Sequence, residues 1–98
     1  MLSLFIGTIF LSQNTGVSSQ IVISEKAYKL IEINRALIDA KKYNESVINI
    51  AKTLKKTHLS DYEKAQLMNL KAYSFYLLEK PSQAISEYNK ILNLKKNT

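Results

Sequence analysis

The sequence predicts an all-α protein whose four helices form two tandem antiparallel hairpins. Three observations carry that expectation. After Gln20 the apolar residues recur at helical rather than alternating spacing. Only two glycines and one proline occur in 98 residues, so helix breakers are scarce. The polar connections between apolar stripes are a few residues long, which forces consecutive helices to pack antiparallel. A hydrophobic fraction of 46% against 22% charged residues excludes a disordered or collagen-like chain, and the length allows one domain at most.

The first segment stands apart from the rest. All fourteen Lys and Arg and all eight Asp and Glu lie at or after Glu25, giving the remainder a net charge of +6. The run from Leu2 to Leu11 is apolar and turns polar through Ser12, Gln13, Asn14, Thr15 and Gly16. A bilayer-spanning helix needs roughly 20 apolar residues, so no stable membrane span is expected. The run instead suits the core of a secretory signal peptide, about 7–15 residues long. Val17-Ser18-Ser19 offers small or β-branched residues before a cut between Ser19 and Gln20. The expectation is a signal peptide over 1–19 and one helical repeat domain over 20–98, exported to the periplasm of a bacterium. Only the amino terminus of Met1 supplies the positive charge that precedes such a core, and an uncleaved anchor or a short buried N-terminal helix or strand are the alternatives.

Ser24 is placed to cap the first helix, which runs to about Ala40 with Ala27, Leu30, Ile31, Asn34, Leu37 and Ile38 along one stripe. Lys41-Lys42-Tyr43-Asn44 reads as a turn. The second helix, about Glu45 to Lys56, repeats the stripe with Val47, Ile50, Ala51 and Leu54, and its closing lysines suit the negative end of the helix dipole. Ser60-Asp61-Tyr62-Glu63 is a capping box and opens a third helix to about Leu78. That helix is apolar over most of its circumference, so it needs neighbours on several sides. Pro81 sits in the first turn of the fourth, which carries Ala84, Ile85, Tyr88, Ile91 and Leu92 to about Leu94. Ser46 and Ala84 open the second and fourth helices at matching positions, 38 residues apart.

From Leu70 to Leu94 a small residue, Ala72, is followed three positions on by Phe75, and Ala84 opens the next helix with Tyr88 four further on. This pattern resembles the tetratricopeptide repeat. Met68 stands where that repeat often has Trp, Lys71 where it often has Leu, and Ile91, which would push the helices slightly apart, where it usually has Ala. The first hairpin, Lys26 to Leu54, resembles it more loosely, with Asn34 at the small position and Leu37 and Ile50 at the aromatic ones. The spacing of 38 exceeds the family's usual 34 or so. The extra residues are assigned to the Lys56-Thr57-His58-Leu59 connection or to an added first turn on the third helix. The resemblance implies a right-handed α-solenoid fragment of about two repeats whose first helices line a groove for a protein or peptide partner. The family's groove positions fall on Tyr28, Ile31, Arg35 and Asp39 of the first helix and on Gln66, Asn69, Tyr73, Tyr76 and Leu77 of the third. Ile31 and Arg35 replace the Lys and Asn with which some members clamp a terminal carboxylate, which argues against a chaperone-tail receptor.

No residue pattern points to catalysis. Cysteine is absent, which removes thiolate metal sites, disulfides and cysteine nucleophiles. His58 is the single histidine and lies in a connection with only Asp61 as a nearby carboxylate. The acidic residues Glu32, Asp39, Glu45, Asp61, Glu63, Glu79 and Glu87 read as solvated helix faces. Gly7 and Gly16 form no phosphate loop, and Ser82 and Ser86 lack a nucleophile-elbow context. The expectation is a non-enzymatic protein-protein interaction module without metal or cofactor. A second class of function, nucleic-acid binding, would use Lys41, Lys42, Lys52, Lys55, Lys56, Lys90, Lys95 and Lys96. Lysines at helix ends serve solubility as readily, and one arginine offers little bidentate phosphate recognition, so no nucleic acid is expected.

Two hairpins are fewer than the three or so repeats such arrays usually need. The sequence therefore also raises a self-associating structural fragment, or the first part of a longer repeat protein. Uncapped C-terminal helices exposing Leu70, Tyr73, Leu77 and Ile85 would drive a homo-oligomer.

Overall fold

A computed structural model describes residues 22–96, the side chains of 95 and 96 excepted. The expected signal peptide and its cut lie outside the described residues. Four helices follow in order: α1 (Glu25–Asp39), α2 (Tyr43–Lys56), α3 (Asp61–Leu77) and α4 (Pro81–Lys96). The described residues contain no strand, and consecutive helices pack together as two hairpins.

The two hairpin turns are the same structure, 38 residues apart. In the first, Lys41 adopts a left-handed φ of 63°, its N–H donates to the Ile38 carbonyl, and the Lys42 N–H reaches back to the Leu37 carbonyl at 2.8 Å. In the second, Glu79 takes φ 62°, its N–H donates to Tyr76, and the Lys80 N–H donates to Phe75 at 2.9 Å. Both are Schellman terminations, built on residues that carry a Cβ where glycine is usual. The turn ends sooner than the sequence suggests, so α2 starts at Tyr43 and takes in Asn44. Its preceding residue, Lys42, supplies no side-chain cap.

α3 is the hub. It packs on α1, α2 and α4, whereas α4 among the described residues touches α3 alone, and these neighbours cover much of the broad apolar circumference of α3. The core gathers Ala27 and Ile31 of α1, Ile50 of α2, Leu67 of α3 and Leu59 of the connection, backed by Leu30, Leu54 and Leu70. Burying side chains of this size stabilises by roughly 1.5–3 kcal/mol each. Leu70 is thus engaged with the core rather than part of an exposed C-terminal patch.

The α3–α4 contact is the most extensive in the molecule. Buried Ala72 and Ala84 let the backbones approach, and Ile91 is half-buried. At the repeat-equivalent positions α1 and α2 carry Asn34 and Ser46, also fully buried. Their polar atoms are satisfied locally: the Ser46 hydroxyl donates to Asn34 Oδ1 at 3.0 Å, and Asn34 Nδ2 donates to Asn49 Oδ1 and to the Leu30 carbonyl, both at 2.9 Å.

α3 is two residues longer than α1, 17 against 15, and the surplus lies at its start.

Candidate interaction surface

The helix starts fix how α1 and α3 sit side by side. Ser60 and Glu63 form the capping box expected from sequence: the Ser60 hydroxyl accepts from the Glu63 amide at 3.1 Å and Glu63 Oε1 accepts from the Ser60 amide at 2.9 Å. The second carboxylate oxygen has a different task. Glu63 Oε2 accepts from the Ser24 amide at 2.7 Å, across 39 residues. Ser24 caps α1 through its hydroxyl, which accepts from Ala27 at 3.1 Å, but Ala27 has no carboxylate to return the bond. Glu63 supplies it from α3, so one side chain completes both boxes. The Ser24 amide first and the Ser60 amide second hold its carboxyl at about 2, below the ordinary 4.5, against the opposing effect of desolvation. Two helix N-termini meeting at one carboxylate act in the same direction.

Glu63 and Glu87 therefore correct the reading of the acidic residues as solvated faces, since both are buried. Glu87 lies inside the α3–α4 contact, where its Oε2 meets Lys71 Nζ at 3.4 Å and Lys90 Nζ at 3.0 Å. Lys71 is itself largely covered, so this is a paired internal charge rather than a surface ion pair. Glu63 engages both carboxylate oxygens, and Glu87 its Oε2, with structural partners.

Among the described residues no three His, Cys, Asp or Glu side chains gather as metal ligands. His58 is exposed in the α2–α3 connection. A shallow groove of about 310 Å³ runs between α2 and α3, floored by Lys71 and Phe75 and walled by Val47, Ala51 and Lys55. Ile48 and Lys52 complete its lining. Lys41, Lys42, Lys52, Lys55, Lys56 and Lys90 are all exposed, distributed over α2, its ends and α4.

The groove residues named from sequence separate into two sets. Tyr28, Arg35 and Asp39 of α1 are exposed, as are Asn69, Tyr73 and Tyr76 of α3, with Gln66 and Leu77 half-buried. Ile31 does not join them, because it lies in the core at 5% exposure. The 38-residue register explains the division. Tyr28, Arg35 and Asp39 correspond to Gln66, Tyr73 and Leu77 and run along the outward face of the α1–α3 layer. Ile31 and Ile38, which are buried, correspond to Asn69 and Tyr76, which are not. Tyr73 and Tyr76 stack at the boundary, with ring centroids 6.4 Å apart and planes inclined by 17°.

The outward face is mixed in chemistry. Arg35 pairs with Glu32 at 3.5 Å and Lys29 with Glu25 at 3.9 Å, both solvent-exposed pairs worth little in stability. Tyr28 and Tyr73 provide rigid apolar area with a hydroxyl at the rim.

Compared with protein-family models, with curated proteins and with solved structures, the chain matches none of them. No helix among the described residues is long and apolar enough to cross a membrane.

Proposed function

We propose that this domain is a non-enzymatic protein-interaction module that holds an extended peptide segment on the outward face of α1 and α3. The observation carrying the reading is the row of Tyr28, Arg35, Asp39 and Tyr73, exposed on two helices whose relative position is set by the shared carboxylate of Glu63. Tyrosines bury large area at low conformational cost, and an arginine and an aspartate supply donors and acceptors for a peptide backbone. The tetratricopeptide-like pattern of Leu70 to Leu94 supports the same reading, and so does the engagement of both buried carboxylates in structure. The uncharged apolar run from Leu2 to Leu11 supports export as the setting in which the module works.

Selection of a random peptide library on the immobilised chain tests it. Peptides should be enriched that bind with micromolar affinity and lose at least tenfold on Tyr73→Ala or Tyr28→Ala, while Tyr62→Ala, on the first turn of α3, leaves binding unchanged. Enrichment of no peptide, or of peptides indifferent to Tyr28 and Tyr73, contradicts the reading.

A further inference from the structure

We propose that the α3–α4 end of the domain is a self-complementary contact surface, through which two copies of the chain pair about a two-fold axis passing close to Tyr88. The inference is independent of the peptide face and uses other residues.

The repeat register identifies the surface. In the first hairpin, α3 is seated against Ile31 and Ile50 of the core, with Leu54 packed beside them. Moved by 38 positions, these become Asn69, Tyr88 and Leu92; half-buried Val47 becomes Ile85, and buried Ile38 becomes Tyr76. The second hairpin thus presents the same face that the first presents to α3, and among the described residues nothing packs upon it. Its large side chains are correspondingly bare: Tyr76 is 64% exposed, Ile85 60%, Tyr88 41% and Leu92 57%. At roughly 200 Å² per fully exposed side chain, they offer on the order of 450 Å² of largely apolar surface, a size that on a single chain marks a contact site.

Two observations select a second copy, and the symmetric arrangement, as the occupant. The patch residues Asn69, Tyr76, Ile85, Tyr88 and Leu92 are all uncharged, in a chain with a net charge of +6. Patch against patch therefore desolvates no charge of the patch itself. Head-to-tail stacking would instead bring up the face of α1 that corresponds to the docking face of α3. There Leu67 and Leu70 are replaced by Lys29 and Glu32, both exposed and ion-paired. Burying those pairs against Tyr88 and Leu92 would desolvate charge without compensation. Of the other exposed large apolar residues of the described part, Tyr28, Ile33 and Ile48 belong to the first hairpin, and Tyr62 and Tyr73 of α3 lie outside the patch, Tyr73 on the peptide face. Two patches bury on the order of 1,000 Å², at the lower edge of specific interfaces, which sets a weak dimer with a Kd of about 10 µM or above.

The test uses the full chain, and its lack of cysteine makes cross-linking unambiguous. Sedimentation equilibrium should show a monomer–dimer exchange in the micromolar range, strengthened by added salt because the contact is apolar and the chains repel. Ile85→Glu and Leu92→Glu, at exposed positions, should abolish the dimer while keeping the helical spectrum and the melting midpoint measured at low concentration. A single cysteine placed by Asn89→Cys should cross-link to itself, and one placed by Lys29→Cys should not. A monomer at all concentrations up to several hundred micromolar, an assembly growing beyond two copies, a dimer that survives Leu92→Glu, or cross-linking between the Lys29→Cys and Asn89→Cys chains would each overturn the proposal.

Discussion

The two hairpins share one backbone plan and solve its interior differently. Their turns superimpose residue for residue, Lys41 on Glu79, yet the first joins its helices through Asn34, Ser46 and Asn49 and the second through Ala72, Ala84 and Glu87. Small apolar residues let α3 and α4 meet closely, and the polar demand is met one turn further along by Lys71 and Lys90 around Glu87. Between α1 and α2 the amide and hydroxyl fill the same space and must satisfy each other, since a buried polar group left unpaired costs about 1–3 kcal/mol. The lesson is that the turn and the register define this repeat, whereas its interior tolerates either a hydrogen-bonded or a close-packed solution. A second contrast lies on the outside: the far face of the first hairpin is covered by α3, and the matching face of the second is uncovered among the described residues.

That contrast sets the largest expected effect. Ile50→Ala removes a fully buried side chain and should cost roughly 3 kcal/mol, seen as a lower denaturation midpoint. Its repeat partner Tyr88, at 41% exposure, should lose less than about 1 kcal/mol on Tyr88→Ala at low protein concentration. Equal losses would break the inside-versus-outside comparison.

Glu63 ties the two hairpins together, and Glu63→Ala removes a charged acceptor from two amides at once, a loss of roughly 3 kcal/mol. Its carboxyl is held at about 2 in the fold, below the ordinary 4.5. The linked stability is therefore fully present above pH 4.5 or so and drains away as pH falls toward 2. Urea titrations from pH 6 down to 2 should show this loss in the native chain and a shallower one in Glu63→Gln.

Asn34→Ala orphans the Ser46 hydroxyl and should cost about 2 kcal/mol. Adding Ser46→Ala gives the first hairpin the interior of the second and should restore about half or more of the loss, because removing both partners leaves no unmet hydroxyl. A double variant as unstable as the two single losses combined would show that the two interiors are not interchangeable.

The smallest effect concerns the shared turn. Lys41→Gly and Glu79→Gly relieve a left-handed residue at each helix end and should each raise stability by about 0.5–1 kcal/mol in thermal melts. Destabilisation at either site would mean that the lysine or glutamate side chain matters more than backbone strain.

Local signals made most of the fold legible. The Ser60–Glu63 box, the helical spacing and the fixed φ of Pro81 are read within a turn or two of chain, and they place three helix starts. The start of α2 was hidden because Lys42 is no capping residue and Lys41 hides a left-handed turn behind a side chain. The bond from Ser24 to Glu63 joins residues 39 apart and leaves no local trace. Burial of Glu87 escapes a reading that treats charges as solvated, although the 38-residue register gives it the position that Asn49 holds in the first hairpin. Among the surface residues, Ile31 was misplaced for the converse reason. A groove position carried over from a repeat pattern specifies a helix face only when the helix has the family's usual neighbours, and here α3 covers that side of α1.

Amide hydrogen exchange resolved along the chain tests the central claim, that the outer face of α4 is the uncovered repeat equivalent of the covered face of α2. At low micromolar concentration the amides of residues 88–92 should exchange faster than those of residues 50–54, even though the α3–α4 contact is the more extensive one. Their protection should rise at several hundred micromolar while that of α2 stays fixed. Protection in α4 equal to that in α2 at low concentration, or unchanged by concentration, would contradict the account.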